Sequence, residues 1–112
     1  MKIAVRDAGR ARILDLSGDL KLGNDSDGAL RETIKEMIAS GQTRFVINLK
    51  HVPWIDSMGI GALAVCKKRA KEKGGDVKLL NPVDKVDRIL RSLMLTDWIQ
   101  IYNDEGMAVG SF

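Results

Sequence analysis

The residues best placed to do chemistry are Asp56 and Ser57, in the stretch Trp54-Ile55-Asp56-Ser57-Met58-Gly59-Ile60-Gly61-Ala62-Leu63. A hydroxyl beside a carboxylate, just ahead of two glycines, can serve three ends. It can cap a helix, because Ser and Asp oxygens accept from the orphan amides of a first turn. It can attack as a nucleophile if a general base adjoins it. It can receive a phosphoryl group, because a helix start tolerates an anion. The nucleophile reading needs a base and an orienting acid. The sole histidine, His51, lies six residues from Ser57 and no orienting acid is evident. No P-loop is present, and His51 has no second histidine or nearby cysteine with which to hold a metal. No catalytic residue, metal or cofactor is therefore expected. Ser57 reads as a substrate for another enzyme's chemistry.

Flanking elements must present that turn. The apolar run Arg44-Phe45-Val46-Ile47-Asn48-Leu49 reads as a central strand buried on both faces. A helix follows from about Gly59 to Lys73, stopped by Gly74-Gly75. Upstream, residues 2–7 and 11–17 read as a hairpin about Asp7-Ala8-Gly9-Arg10. After a polar loop, Leu30, Ile34, Met37 and Ile38 are spaced as one helical face, with Asp25, Ser26 or Asp27 as its cap. Downstream, Val77 to Leu80 reads as a strand. Asn81-Pro82 begins a helix with Val83, Val86, Ile89, Leu90 and Leu93 inward, and Trp98 to Tyr102 reads as a last strand. Residues 104–112 allow one or two helical turns. The order β-β-α-β-α-β-α-β predicts an α/β fold: a mixed sheet of four or five strands with an N-terminal hairpin, flanked by three or four helices.

The 112 residues form one expected domain, 1–112. A chain 45% hydrophobic and 29% charged is globular rather than disordered. The net charge of +3 is interspersed, so direct nucleic-acid binding is not expected. One cysteine, Cys66, precludes an internal disulfide, and it falls on an apolar helix face. With no signal sequence and no apolar run long enough to span a bilayer, a cytoplasmic location without membrane contact is expected.

The segment Val52 to Leu63 resembles the central motif of the STAS domain, in the branch of the bacterial anti-sigma factor antagonists, whose usual form is Asp-Ser-Ser/Thr/Ala-Gly-Leu-Gly. Ser17-Gly18-Asp19-Leu20, Phe45 to Leu49 and Gly74-Gly75-Asp76-Val77 match in order. The resemblance spans about residues 2–102. It implies a phosphorylation-gated binding switch with Ser57 as phosphorylation site. The partners implied are an anti-sigma factor that is also a serine kinase, bound in the unphosphorylated state so that a sigma factor is released, and a serine phosphatase that resets the switch. The implied contact turn is Asp56, Ser57, Met58, Gly59, Ile60 and Gly61, with Asp19, Leu20, Lys21 and Asn24 as a second patch and Trp54 nearby. A monomer or weak dimer is expected. The chain departs from the pattern at Met58, often small or hydroxylated in relatives, at Lys21, often acidic there, in a longer Lys21–Gly28 loop, and in a C-terminal helix stunted by Gly106 and Gly110.

Two other classes fit parts of the sequence. One is a STAS module of another assembly, such as a stressosome-like scaffold or a lipid-transport accessory subunit. The other is a small nucleotide-binding enzyme, because Gly59-Ile60-Gly61-Ala62-Leu63-Ala64 fits G-x-G-x-x-A. The acid at the required distance, Asp76, would begin a strand rather than end one. The cations Lys67, Lys68, Arg69, Lys71 and Lys73 read as a solvated helix end.

Overall fold

The computed structural model describes all residues, 1–112. Strands β1 (Lys2–Asp7) and β2 (Arg12–Ser17) form the hairpin, followed by helix α1 (Ser26–Ala39) and strand β3 (Arg44–His51). Helix α2 (Ser57–Glu72), strand β4 (Asp76–Leu80), helix α3 (Asp84–Ser92), strand β5 (Ile101–Tyr102) and helix α4 (Glu105–Gly110) complete the chain. The sheet runs in sequence order, β1-β2-β3-β4-β5, with β1 antiparallel to β2 and every other neighbour parallel. The expected mixed α/β architecture is thus present, with five strands and four helices.

Side-chain alternation builds two unequal layers. Leu14 and Leu16 of β2, Phe45, Ile47 and Leu49 of β3, and Val77 and Leu79 of β4 point to one face. There they meet Leu30 and Ile34 of α1, Ala62, Leu63, Cys66 and Ala70 of α2, and Val86 and Leu90 of α3. Burying one such aliphatic side chain contributes roughly 1.5–3 kcal/mol, so this layer dominates stability. The opposite face carries Ile13, Val46 and Leu80, covered by Ala108 and the partly buried Val109 and Phe112 at α4. Beside them lies a polar strip in which Arg6 binds Asp15 at 2.6 Å and Glu105 at 2.7 Å, and Asn48 donates to Asp15 at 2.8 Å. The Arg6 guanidinium holds the Asp15 carboxyl below its usual range. No helix is long and apolar enough to cross a membrane.

Several local expectations are corrected. None of the proposed caps works through its side chain at α1. Asp25 occupies the N-cap in a left-handed conformation, φ 58°, with no side-chain bond. Ser26 and Asp27 are buried inside the helix start, so the loop is shorter than the Lys21–Gly28 reading implied. Pro82 precedes α3, which begins at Asp84, and Leu93 is exposed because the helix ends at Ser92. The last strand is two residues rather than five. Leu95–Asp97 wind into a 3-10 turn, and Trp98 follows it exposed, so only Ile101 and Tyr102 reach the edge of β4.

The basic run of α2 also divides. Lys67 is buried against Asp76, which binds Lys78 at 3.2 Å as well, and Lys78 reaches the Gln100 side chain. Burial would raise the Asp76 carboxyl, but the bonds from Lys67, the Val77 amide and Lys78 win and hold it low. Lys68, Lys71 and Lys73 remain exposed, as read.

Candidate functional site

The turn between β3 and α2 is built by a second segment laid alongside it. Leu49 closes a tight turn by accepting from Val52 at 3.0 Å. The chain then runs extended through Trp54 to Asp56, parallel to the loop after β2. Gly18 donates to the His51 carbonyl at 3.0 Å, Leu20 donates to Trp54 at 3.0 Å, and Asp56 donates back to Leu20 at 3.2 Å. Leu20 and Ile55 form an isolated parallel bridge, and both side chains are sealed in the core.

Asp56 is the N-cap of α2. Its backbone is extended and its Oδ1 accepts from the Gly59 amide at 3.0 Å. Its Oδ2 accepts from the Leu22 amide, also at 3.0 Å. One carboxylate therefore fastens the loop to the helix start. The Leu22 and then the Gly59 bond hold it below the ordinary aspartate range, so it is ionised at neutral pH.

This division of labour separates the two readings of Asp56-Ser57. The cap is the aspartate alone. Ser57 is the first residue of α2, exposed, and its hydroxyl makes no bond within the chain. A side chain with no structural duty stands at the positive end of a 16-residue helix.

The two glycines beside it differ. Gly59 is buried, and a Cβ there would stand 2.2 Å from the Leu20 carbonyl oxygen and 2.8 Å from Ile55 Cγ1. Its missing side chain lets the loop close on the helix. A Cβ on Gly61 would meet nothing within 4 Å. Gly61 lies one turn after Ser57 on the same helix face, leaving bare backbone next to the hydroxyl.

Of the residues expected at a contact surface, Ser57, Met58, Gly61 and Asn24 are exposed, while Asp19, Lys21, Asp56 and Ile60 are half-buried. Leu20 and Gly59 are buried and support the turn from beneath. Asn24 has an internal task. Its amide donates to the Asp19 carbonyl at 3.0 Å, and its Oδ1 accepts from the Ser26 amide at 3.1 Å. The buried Ser26 hydroxyl accepts from the Lys21 amide at 2.8 Å and shares its proton between Asn24 Oδ1 and the Lys21 carbonyl. Leu22, inside the Asp19–Asn24 stretch though not singled out there, is 65% exposed on the segment tied to Asp56. With Trp54 and Met58 it gives the turn an exposed apolar rim, and Lys85 of α3 stands 4.9 Å over the Trp54 ring.

The nucleotide fingerprint finds no vacancy here. Leu20 occupies the close approach that Gly59 permits, and Asp76 opens β4 bound to two lysines.

A family model for the STAS domain matches residues 2–108. Similar solved structures include an anti-sigma factor antagonist from Mycobacterium paratuberculosis, with 19% identity, TM-score 0.85, and coverage of 98% of this chain and 92% of that one. The phosphorylated form of the Bacillus cell fate determinant SpoIIAA matches with 19% identity and TM-score 0.75, covering 99% of this chain and 100% of that one. A sulfate transporter family protein from Wolinella succinogenes also matches, at 18% identity and TM-score 0.75, over 88% of this chain and 81% of that one. At these identities the likeness is one of fold.

Proposed function

The chain belongs to the STAS domain family, and from that premise we propose that it is an anti-sigma factor antagonist whose docking turn is switched by phosphorylation of Ser57. The observation that carries the reading is the free, exposed Ser57 hydroxyl on a turn whose cap is already supplied by Asp56. The unmodified turn offers Met58, Leu22 and Trp54 as apolar contacts, and Gly61 as a point of close backbone approach. The partner is an anti-sigma factor that is also a serine kinase, and a serine phosphatase restores the hydroxyl.

A phosphoryl group adds about −1.5 to −2 charge and three acceptor oxygens. In the free protein the helix start offsets that charge by roughly 0.3–1 kcal/mol, while the ionised Asp56 opposes it. The fold therefore changes little. Against a docked partner the same dianion must be desolvated beside Asp56, which costs several kcal/mol. A loss of about 4 kcal/mol is already about a thousandfold in affinity. Binding responds far more than stability does.

The similar structures include both classes, and it is the turn of this chain that supports the switch over a transporter accessory. A solitary serine with no structural bond serves a switch, whereas a permanent subunit contact gains nothing from leaving it open. The test is incubation with a cognate anti-sigma kinase and ATP, peptide mass spectrometry at Ser57, and a binding titration of both forms. Phosphate on Ser57 with a large loss of affinity is expected. Equal affinity of the two forms would refute the switch, and stable copurification with a transporter ATPase without phosphate would favour the accessory role.

A further inference from the structure

The geometry points to a second site, for a phosphate-bearing small anion, in the cleft between Arg10, Gln42, Thr43 and Arg44 at the end of the sheet opposite Ser57. Arg10 closes the β1–β2 turn, Gly41 to Thr43 connect α1 to β3, and Arg44 opens β3. The eight residues of β3 extend at about 3.3 Å each, so Arg44 stands roughly 23 Å from the strand end that leads to Ser57. The proposal is independent of the Ser57 switch.

The cleft encloses about 240 Å³, and every side chain lining it is polar or absent. It contains no carboxylate. The Arg44 guanidinium, the Gln42 amide and the Thr43 hydroxyl make no hydrogen bond within the chain, and Arg10 spends one donor on a main-chain oxygen of Phe112 at 3.1 Å. Two guanidinium forks, an amide and a hydroxyl thus line one cleft, with most of their donors unused within the chain. That inventory matches the oxygens of a phosphate, and the planar forks suit it better than point charges.

The acidic side chains nearest in the sheet do not neutralise the pair. Asp7 is taken by Arg12. Asp76, the residue opposite Arg44 in the sheet register, is taken by Lys67 and Lys78 and leaves that cluster with an excess positive charge. The other cleft of the molecule, about 170 Å³ between α1 and α2, has cations Lys35, Arg69 and Lys73 but also its own acid, Glu72. Ordinary drug-sized sites occupy about 300–1,000 Å³, so the Arg10–Arg44 cleft suits a phosphoryl group rather than a whole nucleotide.

The experiment is a titration of the isotope-labelled full chain with inorganic phosphate, pyrophosphate and glycerol 3-phosphate, each against chloride at matched ionic strength. Saturable amide shifts at Gln42, Thr43 and Arg44 are expected, weakened about tenfold or more in Arg44→Ala and unchanged in Ser57→Ala. Arg44 is exposed and unbonded, so its variant keeps the fold. Arg44→Lys retains the charge without the fork and should bind between the two. Saturation by inorganic phosphate identifies a free oxyanion site, and saturation only by the ester identifies the phosphoryl end of a larger molecule. No saturation with any probe, shifts reproduced by chloride, or shifts that persist in both Arg10→Ala and Arg44→Ala would each overturn the proposal.

Discussion

Replacing Gly59 by alanine adds one methyl group where the loop after β2 lies against the start of α2. Helix propensity alone favours the change by about 1 kcal/mol. The added Cβ would stand 2.2 Å from the Leu20 carbonyl oxygen, roughly 1 Å inside the ~3.3 Å of a tolerated carbon–oxygen approach. The obstacle is backbone and cannot rotate aside, and Ile55 Cγ1 at 2.8 Å blocks the other direction. The loop must retreat by about 1 Å, which stretches the 3.2 Å bond from Asp56 to Leu20 past any useful length. It also strains the 3.0 Å bond from Leu22 to Asp56. Overpacking costs about 1–3 kcal/mol and each lost bond about 0.5–1.5 kcal/mol, so the net loss is roughly 1–3 kcal/mol after the propensity gain. For a domain near this size that is a melting temperature lower by roughly 4 °C or more. Gly61→Ala meets open space and should raise stability by up to ~1 kcal/mol. Thermal and urea unfolding of the two variants, side by side, read opposite signs. If Gly59→Ala proves as stable as Gly61→Ala, the close approach of Leu20 is not what that glycine is for.

Other perturbations test neighbouring parts of the structure. Asp76→Asn leaves Lys67 and Lys78 buried without their shared acid and should cost about 3 kcal/mol, the low end for a broken buried pair because Asp76 keeps some solvent contact. Lys67→Met leaves Asp76 still paired with Lys78 and should cost less, and urea midpoints that reverse this order would contradict the charge argument. The Asp56 carboxyl titrates lower folded than unfolded, so its stabilising contribution is present above the ordinary aspartate value of about 3.9 and is lost as pH falls through the depressed folded one. The Leu22 and Gly59 amide resonances should therefore move together below about pH 3.9, and a midpoint above that value would rule out their bonds to the carboxylate. Burial pushes the Cys66 thiol up to about 12, so it should resist a thiol reagent at neutral pH until the chain unfolds. Labelling of the native protein at the rate of a free thiol would show that α2 does not bury it against the sheet and α1.

The order of elements was legible because the hydrophobic period changes cleanly from strand to helix. Phe45, Val46, Ile47 and Leu49 could only be a central strand, and Leu30 and Ile34 could only face inward on a helix. The site was legible in part. Asp56 and Ser57 are both good caps by residue type, and nothing local says which oxygen faces the amides. That choice depends on the Leu22 amide arriving from 34 residues away. The same non-local closure explains why Leu20 and Gly59 could not be told from surface residues. Lys67 was read by charge alone, although Asp76 makes its burial tolerable. At the far edge, Trp98 and Ile99 have strand-forming side chains, but Leu95–Asp97 close a 3-10 turn first and leave only two residues to pair.

The double fastening of Asp56 also bears on how an enzyme could reach Ser57. The hydroxyl cannot be drawn out as an extended strand without releasing the cap, the Leu22 tie and the buried Leu20 together. A modifying enzyme must accept the serine at the fixed start of a helix and read three-dimensional shape rather than a linear consensus. A synthetic peptide of residues 52–63 would lack that shape, since a lone helix of such length is marginal in water. It should be a poor mimic of the intact domain as a substrate.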